Sequence, residues 1–231
     1  MKITFFGHAT FLVETMGKKL LFDPFFTGNP ANDDINVDDI EADFILLTHA
    51  HGDHVADAIS IAKRTGALVI SNYEIHNWAK SNGVKAHPLN HGGKWNFDFG
   101  TCKYVNAIHT STFPDGTNGG NSGGFVIWNE EGSFYHAGDT ALTMDMKLIP
   151  MTCPPLDFAI LPIGDNFTMG YEDASIAAEF IECNQIIGCH YDTFGWIEID
   201  KKKAKDAFEY RNKNLILLEI GKEINLSLIH I

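Results

Sequence analysis

A short apolar run that ends on a cluster of histidines is the feature that most constrains this chain. The run 44–47 (FILL) is continuous and apolar, as expected of a strand covered on both faces. The next segment, 48–54, reads THAHGDH and holds four ligand-type side chains within six residues: His49, His51, Asp53 and His54. A loop at a strand end can aim several such side chains at one point. The pattern therefore predicts a metal site rather than a surface cluster of histidines.

Short strands and helices mix in both halves of the chain. Period-two patterns and turn residues predict strands over 2–6, 10–14, 19–23, 44–47, 67–71, 101–107, 124–128, 133–136, 157–161, 185–189, 215–218 and 223–228. Helical spacing and stop signals predict helices over 55–65, 73–81, 141–148, 172–182 and 201–211. We expect an α/β (α+β) fold, a four-layer αββα sandwich of two facing mixed sheets with helices outside. No linker or repeat divides the chain, so 1–231 is expected to form a single domain.

A glycine-rich segment, 116–124 (GTNGGNSGG), is predicted to be a flexible loop. It matches neither a dinucleotide fingerprint nor a phosphate-binding loop, because Phe125 begins a strand and no helix follows. Either a mobile loop over a pocket or a plain connection fits this composition.

Charge and cysteine usage exclude several classes of protein. A formal net charge of -13 disfavours a nucleic-acid binder, which gains affinity from Lys and Arg paired with phosphates. The acidic stretch 32–43 is interpreted as a solvated face. The four cysteines form no CxxC pair, which disfavours a disulfide scaffold or a zinc ribbon and favours a reducing cytoplasm. No apolar stretch is long enough for a signal peptide or a membrane span, so no membrane partner is expected.

Specific strings spread over nearly the whole chain carry a family resemblance. They are GHAT at 7–10, DP at 23–24, THAHGDH at 48–54, AIH at 107–109, YHAGDT at 135–140, LPIGDNFTMG at 161–170 and HYDTF at 190–194. The chain resembles the metallo-β-lactamase superfamily, and more closely its ascorbate-6-phosphate-lactonase-like branch of metal-dependent hydrolases.

The resemblance implies a centre for two divalent metal ions. The first ion would be held by His49, His51 and His109, the second by Asp53, His54 and His190, with the Asp139 carboxylate bridging the two. Metal binding lowers the pKa of water from 15.7 to about 7, which would supply a bridging hydroxide as the nucleophile at neutral pH. His and Asp ligands suit Zn²⁺, Mn²⁺, Fe²⁺ and Ni²⁺, and we favour zinc or manganese.

Further residues near these strings have open roles. Asp53 could also orient the hydroxide as a catalytic residue, and His8 could bind substrate or protonate a leaving group, or be a buried structural histidine. Asp165 and Thr168 could contact substrate or His190, or could simply introduce the next helix. His136 is favoured as a hydrogen-bonded core residue over a partner of the ligands, and His91 is ambiguous. The remaining histidines are assigned no role: His76, His87 and His230.

The expected function is therefore a cytoplasmic dinuclear metal hydrolase that acts on a small ester, lactone or phosphodiester molecule. Exported β-lactamase, RNA-processing and flavin-linked di-iron roles are disfavoured. They would need an export signal, a basic clamp or a second domain, respectively. The alternative from another class is a metal-binding sensor or interaction protein without turnover. A homo-oligomer is left open.

Overall fold

Two seven-stranded sheets form the centre of the molecule, as seen in a computed structural model that describes residues 1–32 and 34–225. The first sheet contains β1 (Lys2–Phe5), β2 (Phe11–Thr15), β3 (Lys18–Phe22), β4 (Phe44–Leu46), β5 (Leu68–Ser71) and β6 (Ala86–Pro88). The second contains β7 (Lys94–Phe97), β8 (Gly100–Asn106), β9 (Gly123–Asn129), β10 (Gly132–His136), β11 (Phe158–Pro162), β12 (Gln185–Cys189) and β13 (Asn214–Ile216). The last described strand, β14 (Glu223–Asn225), returns to the first sheet and pairs with β1.

Each sheet is antiparallel in one half and parallel in the other. The strand orders are β14-β1-β2-β3-β4-β5-β6 and β13-β12-β11-β10-β9-β8-β7. Strands β3 to β6 run parallel to one another, as do strands β10 to β13. Parallel strands end at the same edge of a sheet, so the loops that follow β4, β10 and β12 can converge. Both sheets are mixed, as the sequence predicts.

Helices cover the outer face of each sheet. They are α1 (Gly52–Val55), α2 (Ala58–Thr65), α3 (Tyr73–Ser81), α4 (Leu148–Thr152), α5 (Tyr171–Phe180) and α6 (Lys201–Glu209). Buried residues of α2 and α3 belong to the apolar layer outside the first sheet, and those of α5 and α6 to the layer outside the second. The predicted four-layer αββα sandwich is confirmed.

Aromatic side chains fill the space between the two sheets. Phe134 and Phe158 stack with ring centroids 5.0 Å apart, and Phe22 of the facing sheet meets Phe134 edge to face at 5.9 Å. These rings are fully buried, so a large apolar area leaves water in this layer. The core fixes the two sheets against each other and hence the loops at their shared edge.

The predicted helix 55–65 is in fact two helices, α1 and α2, and the break lies at Asp57. The Asp57 carboxylate accepts hydrogen bonds from the backbone N–H groups of Phe26 and Thr27 and from the Thr27 hydroxyl. Asp57 itself adopts a non-helical backbone conformation at the start of α2. The apolar spacing of 55–65 is helical, but the hydrogen bonds between the Asp57 carboxylate and the loop at Phe26 and Thr27 interrupt the helix.

The predicted helix 141–148 is wrong. Ala141 donates its N–H to Ile108 O at 3.1 Å, which holds it against a neighbouring loop. A short 3₁₀ turn then begins after Thr143, whose hydroxyl accepts from Asp145 N, and α4 follows. Strands β6 and β7 were not predicted because they are short and lie at sheet edges, where little of either strand is buried.

Most other predicted elements are found within one or two residues of their bounds, including helix 73–81 and strand 185–189. Of the predicted strand 223–228, positions 226–228 lie outside the described residues, as does His230. Within 1–32 and 34–225, no helix is long and apolar enough to cross a membrane. All four cysteines are free.

Candidate metal centre

The seven predicted ligands meet at one edge of the two sheets, where the Asp139 carboxylate lies among four histidine rings. Its Oδ2 is 3.0 Å from His190 Nε2, 3.3 Å from His54 Nε2, 3.6 Å from His109 Nε2 and 3.8 Å from His49 Nε2. The loop after β10 carries Asp139, and those after β4, β8 and β12 carry the histidines. Residues far apart in sequence are thus brought together by strand ends.

Ligand-type atoms group into three sets, each within 4.8 Å. One set is His49, His51 and His109, a second is His8, Asp53, His54 and His190, and a third is His49, His54 and Asp139. The first two correspond to the two ion sites that the resemblance implies, with His8 added to the second. The third set links them.

Buried polar atoms without hydrogen-bond partners concentrate here. Three of the six such side-chain atoms found within the described residues are His54 Nε2, Asp139 Oδ1 and His190 Nδ1. A buried polar group without a partner is costly, so these atoms fit a centre that binds a cation. Imidazole nitrogens and carboxylate oxygens are ligands for divalent transition metals. The residues present therefore fit the metal ions that the family implies.

Burial and neighbouring charges shift the pKa values of the residues at the middle of the centre. Burial raises the pKa of the Asp139 carboxyl, but His190 and His54 outweigh it and hold that pKa well below its ordinary value. For His54, burial lowers the pKa, yet Asp139 and Asp23 raise it well above its ordinary value. His49 behaves oppositely, because burial and the neighbouring His54 lower its pKa. The ionised Asp139 carboxylate and the neutral His49 ring are the protonation states in which each group can bind a cation.

Asp23, to which the sequence assigned no role, organises the ligands from behind. It is fully buried at the end of β3, and its Oδ2 accepts a hydrogen bond from His54 Nδ1 at 2.9 Å. The same oxygen accepts from the Thr48 hydroxyl at 2.7 Å, and that hydroxyl accepts from His49 Nδ1 at 3.0 Å. These partners place the ring protons on Nδ1 and leave both Nε2 atoms free as ligands.

His51 has the opposite orientation. Its Nδ1 lies 3.0 Å from His49 Nε2, and its Nε2 lies 3.3 Å from the Thr110 hydroxyl. One nitrogen of each ring therefore faces the other ring, as expected where both rings bind one ion.

His8 lies against Asp53 and His190. Its Nε2 is 3.0 Å from Asp53 Oδ2, its Nδ1 is 3.0 Å from the Thr193 hydroxyl, and its ring centroid is 4.1 Å from that of His190. Burial lowers the pKa of His8 to about 4. Burial raises the pKa of Asp53, but His54 and His8 hold it below its ordinary value. Thr193, like Asp23, was missed. Its only signal in the sequence is its place in the string HYDTF.

The two tentative substrate residues lie on the neighbouring loop between β11 and α5. Asp165 is exposed, and its carboxylate accepts from Asn166 N, while the Thr168 hydroxyl donates to Met169 O. The loop reaches the centre through Met169 N, which donates to Thr140 O at 2.9 Å, next to Asp139. The side-chain bonds of both residues are local, and a contact with substrate stays a prediction.

His136 and His91 both make a hydrogen bond and a ring-stacking contact with other protein groups. His136 is fully buried, stacks on Phe22 at 4.8 Å and accepts at Nδ1 from Gly138 N. His91 donates from Nε2 to Ser122 O at 2.8 Å and stacks on Tyr104.

The glycine-rich segment is not a flexible loop along its whole length. A Cβ on Gly119 would lie 2.1 Å from Ala50 Cβ, and one on Gly124 would lie 2.6 Å from His136 O. Gly119 O also accepts from Asn72 Nδ2 and from the Ser111 hydroxyl. Its second half is therefore a packed support behind Ala50, the residue between His49 and His51, and glycine is needed for that close approach.

Comparison with known proteins identifies the family of the chain. The model of the Beta-lactamase superfamily domain matches residues 2–190. The UPF0173 metal-dependent hydrolases of Christiangramia forsetii and Flavobacterium johnsoniae are 59% and 58% identical over 227 and 226 residues. Both alignments cover 98% of this chain and 100% of the relative.

Solved structures show the same fold. Igni18, a novel metallo hydrolase from the hyperthermophilic archaeon Ignicoccus hospitalis, superposes with a TM-score of 0.86 at 31% identity, covering 96% of this chain and 97% of its own. The isothiocyanate hydrolase from Delia radicum gut bacteria superposes with a TM-score of 0.74 at 20% identity, over 97% and 98% of the two chains. The chain belongs to the metallo-β-lactamase superfamily and is a metal-dependent hydrolase.

Proposed function

We propose that this hydrolase uses two divalent ions held on either side of Asp139. His49, His51 and His109 would hold one ion, and Asp53, His54 and His190 the other. The observation that carries the proposal is that Asp139 Oδ2 lies within 3.8 Å of ring nitrogens from both sets. His and Asp ligands suit zinc, manganese, iron and nickel, and of these we propose zinc or manganese. When bound, the ions supply Lewis acidity that activates water and stabilises negative charge on the substrate.

Asp53 is the carboxylate of the centre that solvent and substrate can reach. Its side chain is 30% exposed, whereas those of Asp139 and Asp23 are 3% and 0% exposed. A carboxylate at the open side of the centre can orient an attacking water by accepting a hydrogen bond from it. We therefore assign Asp53 a catalytic role in addition to its role as a ligand.

His8 holds Asp53 in place. An ionised carboxylate can only accept hydrogen bonds, so the ring proton of His8 lies on Nε2 and is donated to Asp53. Nδ1 is then an acceptor, and the Thr193 hydroxyl donates to it. This arrangement fixes both the tautomer and the ring orientation of His8. We propose that His8 is a positioning residue for Asp53. A contact between His8 and the substrate stays a prediction.

The proposed substrates are small molecules with an ester, lactone or phosphodiester bond. Hydrolysis adds water across the bond, so the acyl or phosphoryl centre gains the hydroxyl group and the leaving oxygen gains a proton. The likeness to ascorbate-6-phosphate lactonases supports lactones among these candidates, and a substrate screen can separate the three bond types.

The test is turnover by the zinc- or manganese-reconstituted protein on a panel of 4-nitrophenyl esters, γ-lactones and bis(4-nitrophenyl) phosphate. Asp53→Ala should lose at least about 100-fold in kcat, because it removes both a proposed ligand and the carboxylate that orients the attacking water. His76→Ala is the matched control, since His76 lies on α3 away from the centre. Metal bound without turnover on any of the panel would instead favour a sensor or interaction protein.

A further inference from the structure

The loops that surround the metal centre carry no basic residue. Segments 6–10, 48–54, 107–115, 138–143, 163–170 and 190–198 contain neither Lys nor Arg. Beyond the ligands they do contain acidic residues: Asp115, Asp165, Asp192 and Glu198. Proteins hold phosphate and carboxylate groups of ligands chiefly with Arg, Lys and N–H donors. These segments therefore give an anionic substituent of the substrate no Lys or Arg side chain to pair with.

The lysines that lie nearest to these segments along the chain are paired with carboxylates. Lys201 Nζ is 3.0 Å from Asp192 Oδ2, and Lys202 Nζ is 2.8 Å from Asp206 Oδ2. Together with Lys205 they line a cavity that His8 also lines. The same lining holds four carboxylates: Asp192, Asp206, Glu209 and Glu219. A wall with three lysines and four acids is not selective for an anion.

Apolar side chains are exposed instead on three of these segments. Ile108, directly before His109, is 52% exposed, Phe167 is 53% exposed and Trp196 is 78% exposed. A fourth, Phe194, is half-buried with its ring centroid 5.5 Å from that of His8. We call Ile108, Phe167, Phe194 and Trp196 the apolar rim.

Backbone bonds tie the rim to the ligand loops. Ile108 N donates to the Thr140 hydroxyl at 3.0 Å, and Met169 N, two residues after Phe167, donates to Thr140 O. The loop that carries Phe194 and Trp196 follows His190 directly and closes through Asp192 N, which donates to Ile197 O at 2.8 Å. The segments that carry the rim are therefore tied to the ligand loops, at Thr140 beside Asp139 and through the chain that follows His190.

From this juxtaposition we propose that the substrate is uncharged and carries an aryl or alkyl group next to the bond that is cleaved, with the apolar rim packed on that group. The inference rests on the proposed function, which places the bond cleavage at the metal centre. It narrows the substrate class to neutral molecules and argues against a phosphorylated substrate. Burial of apolar area against the rim can supply binding free energy, whereas the loops offer no Lys or Arg to bind a phosphate group.

The first test compares two substrates of equal acyl length, 4-nitrophenyl hexanoate and mono-4-nitrophenyl adipate, which differ by a terminal carboxylate. The inference predicts that kcat/KM is at least about tenfold higher for the neutral ester. Equal values, or a preference for the adipate, would overturn it. If neither ester is cleaved while a lactone is, the same comparison is made with neutral and carboxylated lactones. Cleavage of anionic phosphodiesters alone would overturn the inference.

The second test measures binding without turnover. Titration with the uncharged fluorophore N-phenyl-1-naphthylamine should give a Kd about tenfold weaker for Phe167→Ala/Trp196→Ala than for the wild type. Trp95→Ala is the matched control, because Trp95 is 55% exposed on the edge strand β7. Metal content should be unchanged in all variants. Failure of the proposed hydrolysis would leave this binding difference intact, so the two failures can be told apart.

The rim could instead be covered by a second copy of the chain. Sedimentation velocity on the same variants separates the two cases. An oligomer that dissociates in the double variant, with unchanged kcat/KM for both esters, would overturn the substrate role. An unchanged oligomeric state with a reduced preference for the hexanoate supports it.

Discussion

Asp23 accepts a hydrogen bond from His54 Nδ1 at 2.9 Å, and both side chains are fully buried. The same carboxylate oxygen accepts from Thr48, which in turn accepts from His49. One carboxylate behind the centre therefore fixes the tautomers of two histidines, which we assign to different ions in the proposed centre. Partners of this kind commonly change metal affinity 10- to 100-fold when they are lost.

Asp23→Asn should weaken metal binding by about 10- to 100-fold, because the neutral amide keeps the shape of the side chain but removes the charge that orients His54. Competition with a chelating dye measures the affinity. Asp98→Asn is the control, since the Asp98 side chain is 79% exposed. An affinity equal to that of the wild type would show that Asp23 does not organise the ligands.

Thr193→Val should lower kcat about fivefold with little change in metal content. Valine keeps the shape of threonine but cannot donate to His8 Nδ1, and one such hydrogen bond contributes about 1 kcal/mol. Thr193→Ser retains the hydroxyl and should recover most of the rate. If the valine and serine variants had the same kcat, the hydroxyl would have no part in positioning His8.

Gly119→Ala should destabilise the fold by about 1–3 kcal/mol, because the new methyl group would lie 2.1 Å from Ala50 Cβ. For a chain of this size the melting temperature should fall by about 2 to 10 °C. The control is Gly195→Ala, where the nearest atom, Glu198 Oε1, is 4.0 Å away. Equal melting temperatures for the two variants would contradict the packed arrangement of the segment behind His49 and His51.

Removal of the ions should lower the melting temperature. Ions that bind the folded chain at 100 times their Kd contribute about 2.7 kcal/mol, which corresponds to about 5 to 10 °C here. Scanning calorimetry before and after dialysis against EDTA measures the change, and added zinc or manganese should restore the original value. The same melting curve with and without EDTA would mean that the folded chain gains nothing from metal.

The sequence was informative where chemistry and strand ends coincide. His109, Asp139 and His190 each follow a strand whose apolar run is visible, and the structure brings all three to THAHGDH. Periodicity likewise predicted the buried strands and the two sheets. The resemblance supplied the grouping into two sets, because spacing along the chain does not show which strand ends face each other.

Other features could not be predicted because they depend on contacts between distant segments. Asp23 is a lone carboxylate in the sequence, and its role appears only once Thr48 and His54 lie against it. The bond from Ala141 to Ile108 removes the start of a predicted helix. Gly119 suggested flexibility by composition, whereas the structure uses its missing side chain for close packing.

The central claim is that Asp139 lies between two ions, and elemental analysis of the reconstituted chain tests it most directly. The account predicts about two equivalents of zinc or manganese per wild-type chain. It also predicts about one in His109→Ala, which removes a ligand from the first set only, and fewer than one in Asp139→Ala. A wild-type chain that retains one equivalent or less at saturating metal would contradict it.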